Sequence, residues 1–185
     1  MNLGVTDQVI ERLRGKDPAS MKELMLLTRR FAWETVYRMT RNREESMDIL
    51  QEAYIRVWKN IGSLDPNGSF KYWFRSILRN LTIDRMRKNK RESSVVIRTE
   101  TLPEAKGGER GADREMELNE LMEFIKGWIP GLPETQQTVF ILRDIENLSI
   151  REVIDETGLT ESSIKSSLYI ARKKLKEDLI RAGHA

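Results

Sequence analysis

The sequence predicts an all-α protein made of two small helical domains joined by a flexible linker, the C-terminal one a helix-turn-helix. Apolar residues recur at helical spacing through most of the 185 residues, and helix-capping signals separate the periodic runs. Between residues 92 and 114 this period is lost, and small residues, mixed charge, a proline and a Gly-Gly pair replace it. We therefore expect helical domains at residues 1–91 and 115–185.

Composition excludes several classes of protein. The chain is 39% hydrophobic and 33% charged, with a net charge of only +3, so any contact with nucleic acid depends on where the charge lies. No apolar run is long enough to span a membrane, and the N-terminus lacks the apolar centre of a signal peptide. There is no Cys and a single His. We expect a cytoplasmic protein without disulfides, metal, cofactor or membrane insertion.

The helices of the first domain are marked by caps and turns. Asp17-Pro18 predicts an N-cap followed by proline at the first helical position, after a short helix that Gly15 closes. Asn42 and Glu45 predict a capping box that starts a helix reaching about Ile61. The turn signals Asp65-Pro66 and Asn67-Gly68 then predict a loop before the next helix.

The helix "ESMDILQEAYIRVWKNI" carries two stripes. The first is predicted to be buried and consists of Met47, Leu50, Tyr54, Val57 and Ile61. The second is polar, acidic at one end and predicted to face outward; it consists of Asp48, Gln51, Glu52, Ile55, Trp58 and Lys59. An exposed Trp within a polar stripe is typical of a protein–protein hot spot. The alternative is a tightly packed core helix in which Trp58 is half-buried.

The next helix, "FKYWFRSILRNLTIDRMRK", is both aromatic and basic. Eight Lys or Arg residues and one Asp lie between residues 71 and 91, and such a field attracts phosphate. Aromatic rings among these bases can stack on unpaired nucleobases, at about 1–3 kcal/mol per base. The alternative is that the rings belong to the core, which we expect for Phe70 and Phe74 and leave open for Tyr72 and Trp73. The predicted inward face consists of Phe70, Phe74, Ile77, Leu78 and Leu81, with Lys71, Arg75, Arg79 and Arg85 mostly elsewhere.

The C-terminal domain carries the most specific pattern. Leu132-Pro133 opens a helix to about Asn147, and a Ser149–Glu152 capping box, a turn glycine at Gly158 and an N-cap at Thr160 follow. A short helix, a glycine turn and a longer helix form a helix-turn-helix, whose second helix enters the major groove. The alternative is a helical hairpin with a solvated basic face. On the last helix, one face is apolar (Ile164, Leu168, Ala171, Leu175, Leu179) and another carries Lys165, Tyr169, Arg172 and Lys176.

Three segments together resemble a bacterial RNA polymerase sigma factor of the extracytoplasmic-function (ECF) group. They are "DILQEAYIRVWKNI", "FKYWFRSILRNLTIDRMRKNKR" and "LPETQQTVFILRDIENLSIREVIDETGLTESSIKSSLYIARKKL". The resemblance implies a factor that binds core RNA polymerase, directs it to promoter DNA and helps to melt the −10 element. It also implies that the linker runs toward the polymerase active centre and the RNA exit path.

The resemblance also implies which residues carry each contact. The clamp helices of the polymerase large subunit would contact Asp48, Gln51, Glu52, Ile55 and Trp58. The −10 element would be melted and read by Asp65, Asn67, Ser69, Tyr72, Trp73, Arg75, Arg79, Asn80, Asp84, Arg87 and Lys88. The −35 duplex would be read by Thr160, Ser162, Ser163, Lys165, Ser166, Tyr169, Arg172 and Lys173.

The sequence departs from the family in ways that bear on function. Ser167 and Ile170 are uncharged where the family commonly has basic residues, which weakens the expected grip on the DNA backbone. Ile154 stands where the family usually has Ala. We expect no acidic N-terminal extension of the kind found in primary sigma factors, so the resemblance implies control by an anti-sigma protein that covers the polymerase-binding stripe. We expect a monomer when no partner is bound.

Two other classes of protein fit parts of the pattern. A one-component transcription regulator would combine a ligand-sensing helical domain with a helix-turn-helix and would form a homodimer. A nucleic-acid enzyme would need a carboxylate cluster for metal, or a His or Cys acting as base or nucleophile. Asp144 with Glu146, and Asp155 with Glu156, are better explained as solvated helix charge. We therefore predict no catalytic residue.

Overall fold

The fold is known from a computed structural model that describes the backbone of residues 3–96 and 110–183 and the side chains of residues 3–92 and 118–183. Within these ranges the chain forms helices and turns and no strand, which confirms the predicted all-α class. The predicted linker, residues 92–114, lies largely outside the described residues.

Eight α-helices follow one another in the described parts of the chain. They are α1 (Asp7–Arg14), α2 (Pro18–Thr40), α3 (Arg43–Asn60), α4 (Phe70–Val96), α5 (Arg110–Trp128), α6 (Glu134–Phe140), α7 (Ile150–Thr157) and α8 (Glu161–Arg181). Short 3-10 turns occur at Ile61–Ser63 and Ile129–Gly131, and a π-helical turn follows α6 at Ile141–Ile145.

The ends of the predicted linker are helical. Helix α4 continues to Val96, beyond the predicted linker start at residue 92, and α5 begins at Arg110, before its predicted end at residue 114. No Gly or Pro interrupts residues 92–96, and extending an existing helix costs little because only nucleation is unfavourable. Helix α5 was not predicted as a separate element.

Capping signals place the helix starts where the sequence predicts them. Asp17 Oδ1 accepts a hydrogen bond from the Ala19 N–H at 3.0 Å. Asn42 Oδ1 accepts one from the Glu45 N–H at 3.1 Å. The Ser149–Glu152 capping box is complete, with both reciprocal bonds formed.

The turn of the helix-turn-helix depends on one glycine. Gly158 ends α7 in the left-handed region, at φ 70°, where a side chain would be strained. The Thr160 side chain then accepts from the Ser163 N–H at 3.2 Å and starts α8.

The chain divides into two compact units, Met1–Ile83 and Asp84–Ala185. The division falls inside α4, before the predicted end of the first domain at residue 91. The limits of the two domains therefore stay a prediction.

Phe74 lies at the centre of the first unit. Its ring is fully buried, with centroids 5.6 Å from both Tyr54 on α3 and Phe70 on α4, and 6.4 Å from Phe31 on α2. The Tyr54 hydroxyl lies 3.0 Å from the Thr28 hydroxyl, so the polar end of this buried ring is satisfied. Burial raises the pKa of Tyr54, and the hydrogen bond with Thr28 partly opposes that rise. Three helices thus meet on one aromatic cluster.

The second unit has its own core beneath the helix-turn-helix. Its buried members come from α6, the π-helical turn, the segment before α7, α7 itself and α8; they are Val139, Leu142, Leu148, Val153, Ile164 and Leu168. Trp128 packs edge-on against Phe140 at 5.3 Å, and its indole N–H donates to Asp178 Oδ2 at 3.0 Å. The later part of α8 is thereby tied to the end of α5.

The burial pattern corrects two predictions. Met47, predicted to be in the core, is 55% exposed, and the buried face of α3 is instead formed by Ser46, Ile49, Ala53, Tyr54 and Val57. Arg75, predicted to lie on the basic outer face of α4, is only 5% exposed. No described helix is both long and apolar enough to cross a membrane.

Replacing Phe74 with Ala should lower the free energy of unfolding by about 3–5 kcal/mol, because a fully buried aromatic ring leaves a cavity among three helices. Urea denaturation followed by circular dichroism measures the change. Tyr169→Ala, which removes a 68% exposed ring from the second unit, is the control and should stay within about 0.5 kcal/mol of the parent. An equal effect of the two changes would contradict this account of the core.

Candidate functional site: nucleic-acid and protein interfaces

The loop before α4 is short and internally bonded. It leaves the core at buried Leu64 and returns at buried Phe70, with residues 65–69 exposed between them. The Gly68 N–H donates to the Asp65 carbonyl at 2.8 Å, and the Asn67 N–H donates to Asp65 Oδ1 at 2.9 Å. A Cβ at Gly68 would lie 3.1 Å from Asp65 Cβ, so the tight turn favours glycine. We refer to residues 65–69 as the α3–α4 loop; it exposes Asp65, Asn67 and Ser69.

Tyr72 and Trp73, whose burial the sequence does not decide, are both half-buried. Trp73 packs against the core of the first unit, with its ring 5.9 Å from that of Phe70. The Lys71 ammonium lies 5.8 Å from the ring centroid of Tyr72. Trp73 therefore has a packed side, Tyr72 is partly covered, and Asn80, about two turns further along α4, is exposed.

The basic residues of α4 are not equivalent. The Arg75 guanidinium lies 5.1 Å from the centroid of the Phe31 ring, a cation–π contact that accounts for its position inside the first unit. Arg79 is half-buried. An arginine buried against an aromatic ring is not presented to phosphate, so the structure gives no support to the predicted role of Arg75 in DNA contact.

The part of α4 that belongs to the second unit has an exposed charged surface. Asp84, Arg87 and Lys88 are all exposed. Arg87 lies 3.6 Å from Asp84, and Lys88 lies 3.8 Å from Glu92. Exposed pairs of this kind contribute little to stability, so both cations can exchange these partners for phosphate.

The outward stripe of α3 is less aromatic than predicted. Asp48 and Gln51 are exposed and Ile55 is 45% exposed, whereas Glu52 is half-buried and bonded to Arg56 at 2.7 Å. Trp58 is half-buried against the core, which matches the alternative considered for it. The Lys16 ammonium lies over its ring at 5.3 Å and donates to its carbonyl. The accessible apolar group of this stripe is therefore Ile55.

Helix α8 presents a mixed polar and apolar outer face. Exposed residues predicted to read DNA include Ser162, Lys165, Ser166, Tyr169 and Lys173, while Ser163 is half-buried. Lys165 is paired with Glu161 at 2.6 Å, one turn earlier. Ile170 is also exposed, beside Tyr169. The Thr160 side chain is engaged as the N-cap of α8.

Arg172 has a partner that the sequence analysis missed. Its Nε donates to Asp144 Oδ2 at 3.0 Å and its Nη2 to Asp144 Oδ1 at 2.5 Å, a bidentate pair from α8 to the π-helical turn. The hydrogen bond to Asp144 raises the pKa of Arg172. The sequence predicts solvated charge at both Asp144 and Glu146, whereas Asp144 is bonded to Arg172 and Glu146 is buried. Twenty-eight residues separate Asp144 from Arg172, and no local pattern connects two residues at that distance.

Comparison with known proteins matches both units. Residues 24–92 match the model of Sigma-70 region 2, and residues 129–175 match that of Sigma-70 region 4. The chain is 31% identical over 177 residues to the ECF RNA polymerase sigma factor SigW of Bacillus subtilis (strain 168), covering 92% of this chain and 94% of SigW.

Two solved structures resemble the fold. One is the sigma factor RpoE in complex with the anti-sigma factor NepR from Bartonella quintana, with a TM-score of 0.50 and 22% identity, covering 84% of this chain and 94% of that one. The other is CnrH in complex with the cytosolic domain of CnrY, with a TM-score of 0.53 and 16% identity, covering 94% of this chain and 96% of that one.

Replacing Asp144 with Asn should release Arg172 and strengthen binding to duplex DNA of arbitrary sequence. If Arg172 gains one phosphate contact, the slope of log affinity against log salt should steepen by about 0.9. Fluorescence anisotropy over a salt series measures this slope. Asp155→Asn, which removes the same charge from an exposed position on α7, is the control. Identical salt slopes for the two variants would show that Arg172 does not depend on Asp144.

Proposed function

Because the chain belongs to the extracytoplasmic-function (ECF) group of RNA polymerase sigma factors, we propose that three of its described surfaces contact core polymerase, the −10 element and the −35 element during transcription initiation. The family binds core RNA polymerase and directs it to promoters, and this chain has that function. The surface of α3 binds polymerase, the α3–α4 loop with α4 melts and reads the −10 element, and α8 reads the −35 element. The coincidence of the region 2 and region 4 matches with these surfaces carries the proposal.

The polymerase contact uses the exposed part of the α3 stripe. Asp48 and Gln51 provide polar groups, and Ile55 provides an apolar group that a partner can desolvate. Burial of such a group at the centre of a polar surface is what produces a binding hot spot. Trp58 contributes to this surface indirectly: its ring packs against the core and supports the end of α3.

The −10 contact combines groups that recognise unpaired bases with groups that hold the backbone. Asn67 and Asn80 can hydrogen-bond base edges, and the partly exposed ring of Tyr72 can stack on a base. Arg87 and Lys88 attract phosphate but treat duplex and single strand alike. Melting is therefore favoured by the asparagines and the aromatic ring, since paired bases are not available to them.

The −35 contact follows the geometry of a helix-turn-helix. The early part of α8 enters the major groove, so Ser162, Lys165, Ser166 and Tyr169 approach base edges and phosphates. Lys173 lies one turn further along and binds the backbone. Ser167 and Ile170 cannot supply the charge that the family commonly has at these positions, so affinity for the −35 element rests on fewer cations.

Control of this chain is proposed to come from an anti-sigma protein. Structures of similar fold include sigma factors bound to such proteins. We place the contact on the polymerase-binding surface of α3, where occupation by one partner excludes the other. The chain acts as a monomer in the cytoplasm, contributes no catalytic group of its own, and needs no cofactor. A dimeric one-component regulator would not account for the region 2 match.

The direct test is run-off transcription with core polymerase, this protein and a library of promoters. Core polymerase alone should give no specific transcripts, and addition of the protein should yield transcripts that share a −35 and a −10 element. The absence of protein-dependent transcripts from every member of the library would overturn the proposed function.

Replacing Ile55 with Ala should weaken binding to core polymerase by at least about 1 kcal/mol, because a desolvated apolar contact is lost. Titration of fluorescently labelled protein with core enzyme measures the affinity. Met25→Ala on α2 is the matched control, since Met25 is 44% exposed and lies outside the α3 stripe. Equal affinity of Ile55→Ala and the parent for core polymerase would contradict the assignment of this surface.

Replacing Asn80 with Ala should leave holoenzyme formation intact and impair promoter opening. Extruding a base costs a few kcal/mol, and the lost amide is one of the groups that recover this energy. Permanganate footprinting of linear promoter DNA should show less reactive −10 thymines, and a pre-melted template should restore transcription. Asn89→Ala, another exposed asparagine on α4, serves as the control. Undiminished opening of linear DNA by Asn80→Ala would rule out its role in melting.

A further inference from the structure

Helix α1 has a position but no assigned role. It precedes residue 24, where the match to Sigma-70 region 2 begins, and none of the three proposed surfaces includes it. Its apolar side is well anchored, because Val9 and Leu13 are both buried in the core of the first unit. Because tertiary packing fixes the position of this short helix, the side chains at its C-terminal end can orient the groups that they contact.

The polar end of α1 contacts the base of the α3–α4 loop. Arg14 Nη2 donates to the carbonyl of Leu64 at 2.9 Å, across 50 residues of sequence. Arg14 Nη1 also bonds to Glu11 Oε1 at 2.8 Å, which holds the guanidinium in this orientation from within α1. Two residues later, Lys16 donates to the Trp58 carbonyl at the end of α3 and lies over its ring.

The Leu64 carbonyl is the point where the chain leaves the core to form the loop. The Leu64 N–H closes the 3-10 turn by donating to the Ile61 carbonyl at 3.2 Å, and the backbone then becomes extended, at φ −66° and ψ 120°. Asp65, whose carbonyl and carboxylate organise the loop, follows directly. The orientation of the Leu64–Asp65 peptide therefore sets the direction in which Asn67 and Ser69 are presented.

We infer that Arg14 is a positioning residue, which orients the α3–α4 loop for reading the −10 element by fixing the Leu64 carbonyl. This inference rests on the proposed role of the loop in −10 recognition. The contact is a hydrogen bond from a charged donor at a partly buried position, the kind that has measurable strength. Arg14 does not itself touch DNA; it acts through the loop backbone, and Lys16 holds the neighbouring end of α3 in place.

The first measurement follows loop motion in the free, full-length protein. Backbone ¹⁵N relaxation should give order parameters of about 0.85 for Asn67, Gly68 and Ser69 in the parent. Values below about 0.6 are expected in Arg14→Met, which keeps the aliphatic stem but removes the donors. Arg14→Lys, which retains one donor, should be intermediate. Arg30→Met is the matched control, since Arg30 pairs with Glu34 on the exposed face of α2. Unchanged loop order parameters in Arg14→Met would overturn the inference.

The second measurement follows −10 selectivity in the holoenzyme. With a promoter library randomised at the −10 element, Arg14→Met should reduce the enrichment of the preferred element by about tenfold, the effect expected from one charge-assisted hydrogen bond. Thermal unfolding and core affinity, measured in parallel, separate this from general destabilisation, and Arg14→Lys should restore part of the selectivity.

An Asn67→Ala variant separates a failure of the Arg14 inference from a failure of the proposed −10 role of the α3–α4 loop. If Asn67→Ala alters the −10 preference and Arg14→Met does not, the positioning role of Arg14 is wrong. If neither variant alters the preference, the proposed −10 role of the loop is itself wrong, and the inference falls with it. Loss of selectivity in both, with partial recovery in Arg14→Lys, supports the inference.

Discussion

The burial of Phe74 is the constraint on which the first unit depends. One ring on α4 packs against Phe31 from α2 and Tyr54 from α3, so the rotation of α4 about its own axis is determined by the core. Since successive residues of a helix are separated by about 100°, fixing one position fixes the direction of every other. Asn80 is exposed and Leu78 is buried as a consequence of where Phe74 lies. The packing of the aromatic core therefore determines which face of α4 is exposed and proposed to contact DNA.

The number of basic residues in a segment does not predict which of them contact nucleic acid. Arg75 is drawn into the core by the Phe31 ring, Arg172 is bonded by Asp144, and Arg14 is bonded by a backbone carbonyl. Each of these arginines is committed to an intramolecular contact. Among the described side chains, by contrast, Arg87 and Lys88 make long ion pairs to exposed carboxylates on their own helix. The guanidinium group favours such internal roles because its planar donors match carboxylates and its face matches aromatic rings.

The protein-binding and DNA-binding surfaces of the first unit share their supports. The end of α3 and the start of the α3–α4 loop are both contacted by residues at the end of α1, namely Arg14 and Lys16. Trp58 belongs to the same arrangement, which explains why its ring is half-buried instead of facing a partner. A substitution that breaks these contacts would therefore alter both the polymerase-binding surface and the DNA-binding surface. In the second unit, Asp144 plays a similar supporting role, because its bond with Arg172 joins the π-helical turn to α8, the helix proposed to contact DNA.

Local signals in the sequence determined the helical class, the helix starts and the helix-turn-helix. Asp17, Asn42, Ser149 and Thr160 cap helices through bonds that span only two or three residues, and Gly158 satisfies a local backbone requirement. Such signals are complete within a short window, so they can be read without knowing what packs nearby. The helical period also predicted that Lys165 lies away from the apolar face of α8, and it is exposed.

Only the tertiary structure decided which side chains were left for partners. Met47 and Arg75 were assigned to the wrong faces, and Trp58 was predicted to be more exposed than it is, because the buried arc of a helix depends on how many neighbours surround it. The contacts of Arg14 with Leu64 and of Asp144 with Arg172 join residues 50 and 28 positions apart. No periodicity or cap encodes such a pair, because its energy exists only after the chain has folded and brought the two groups together.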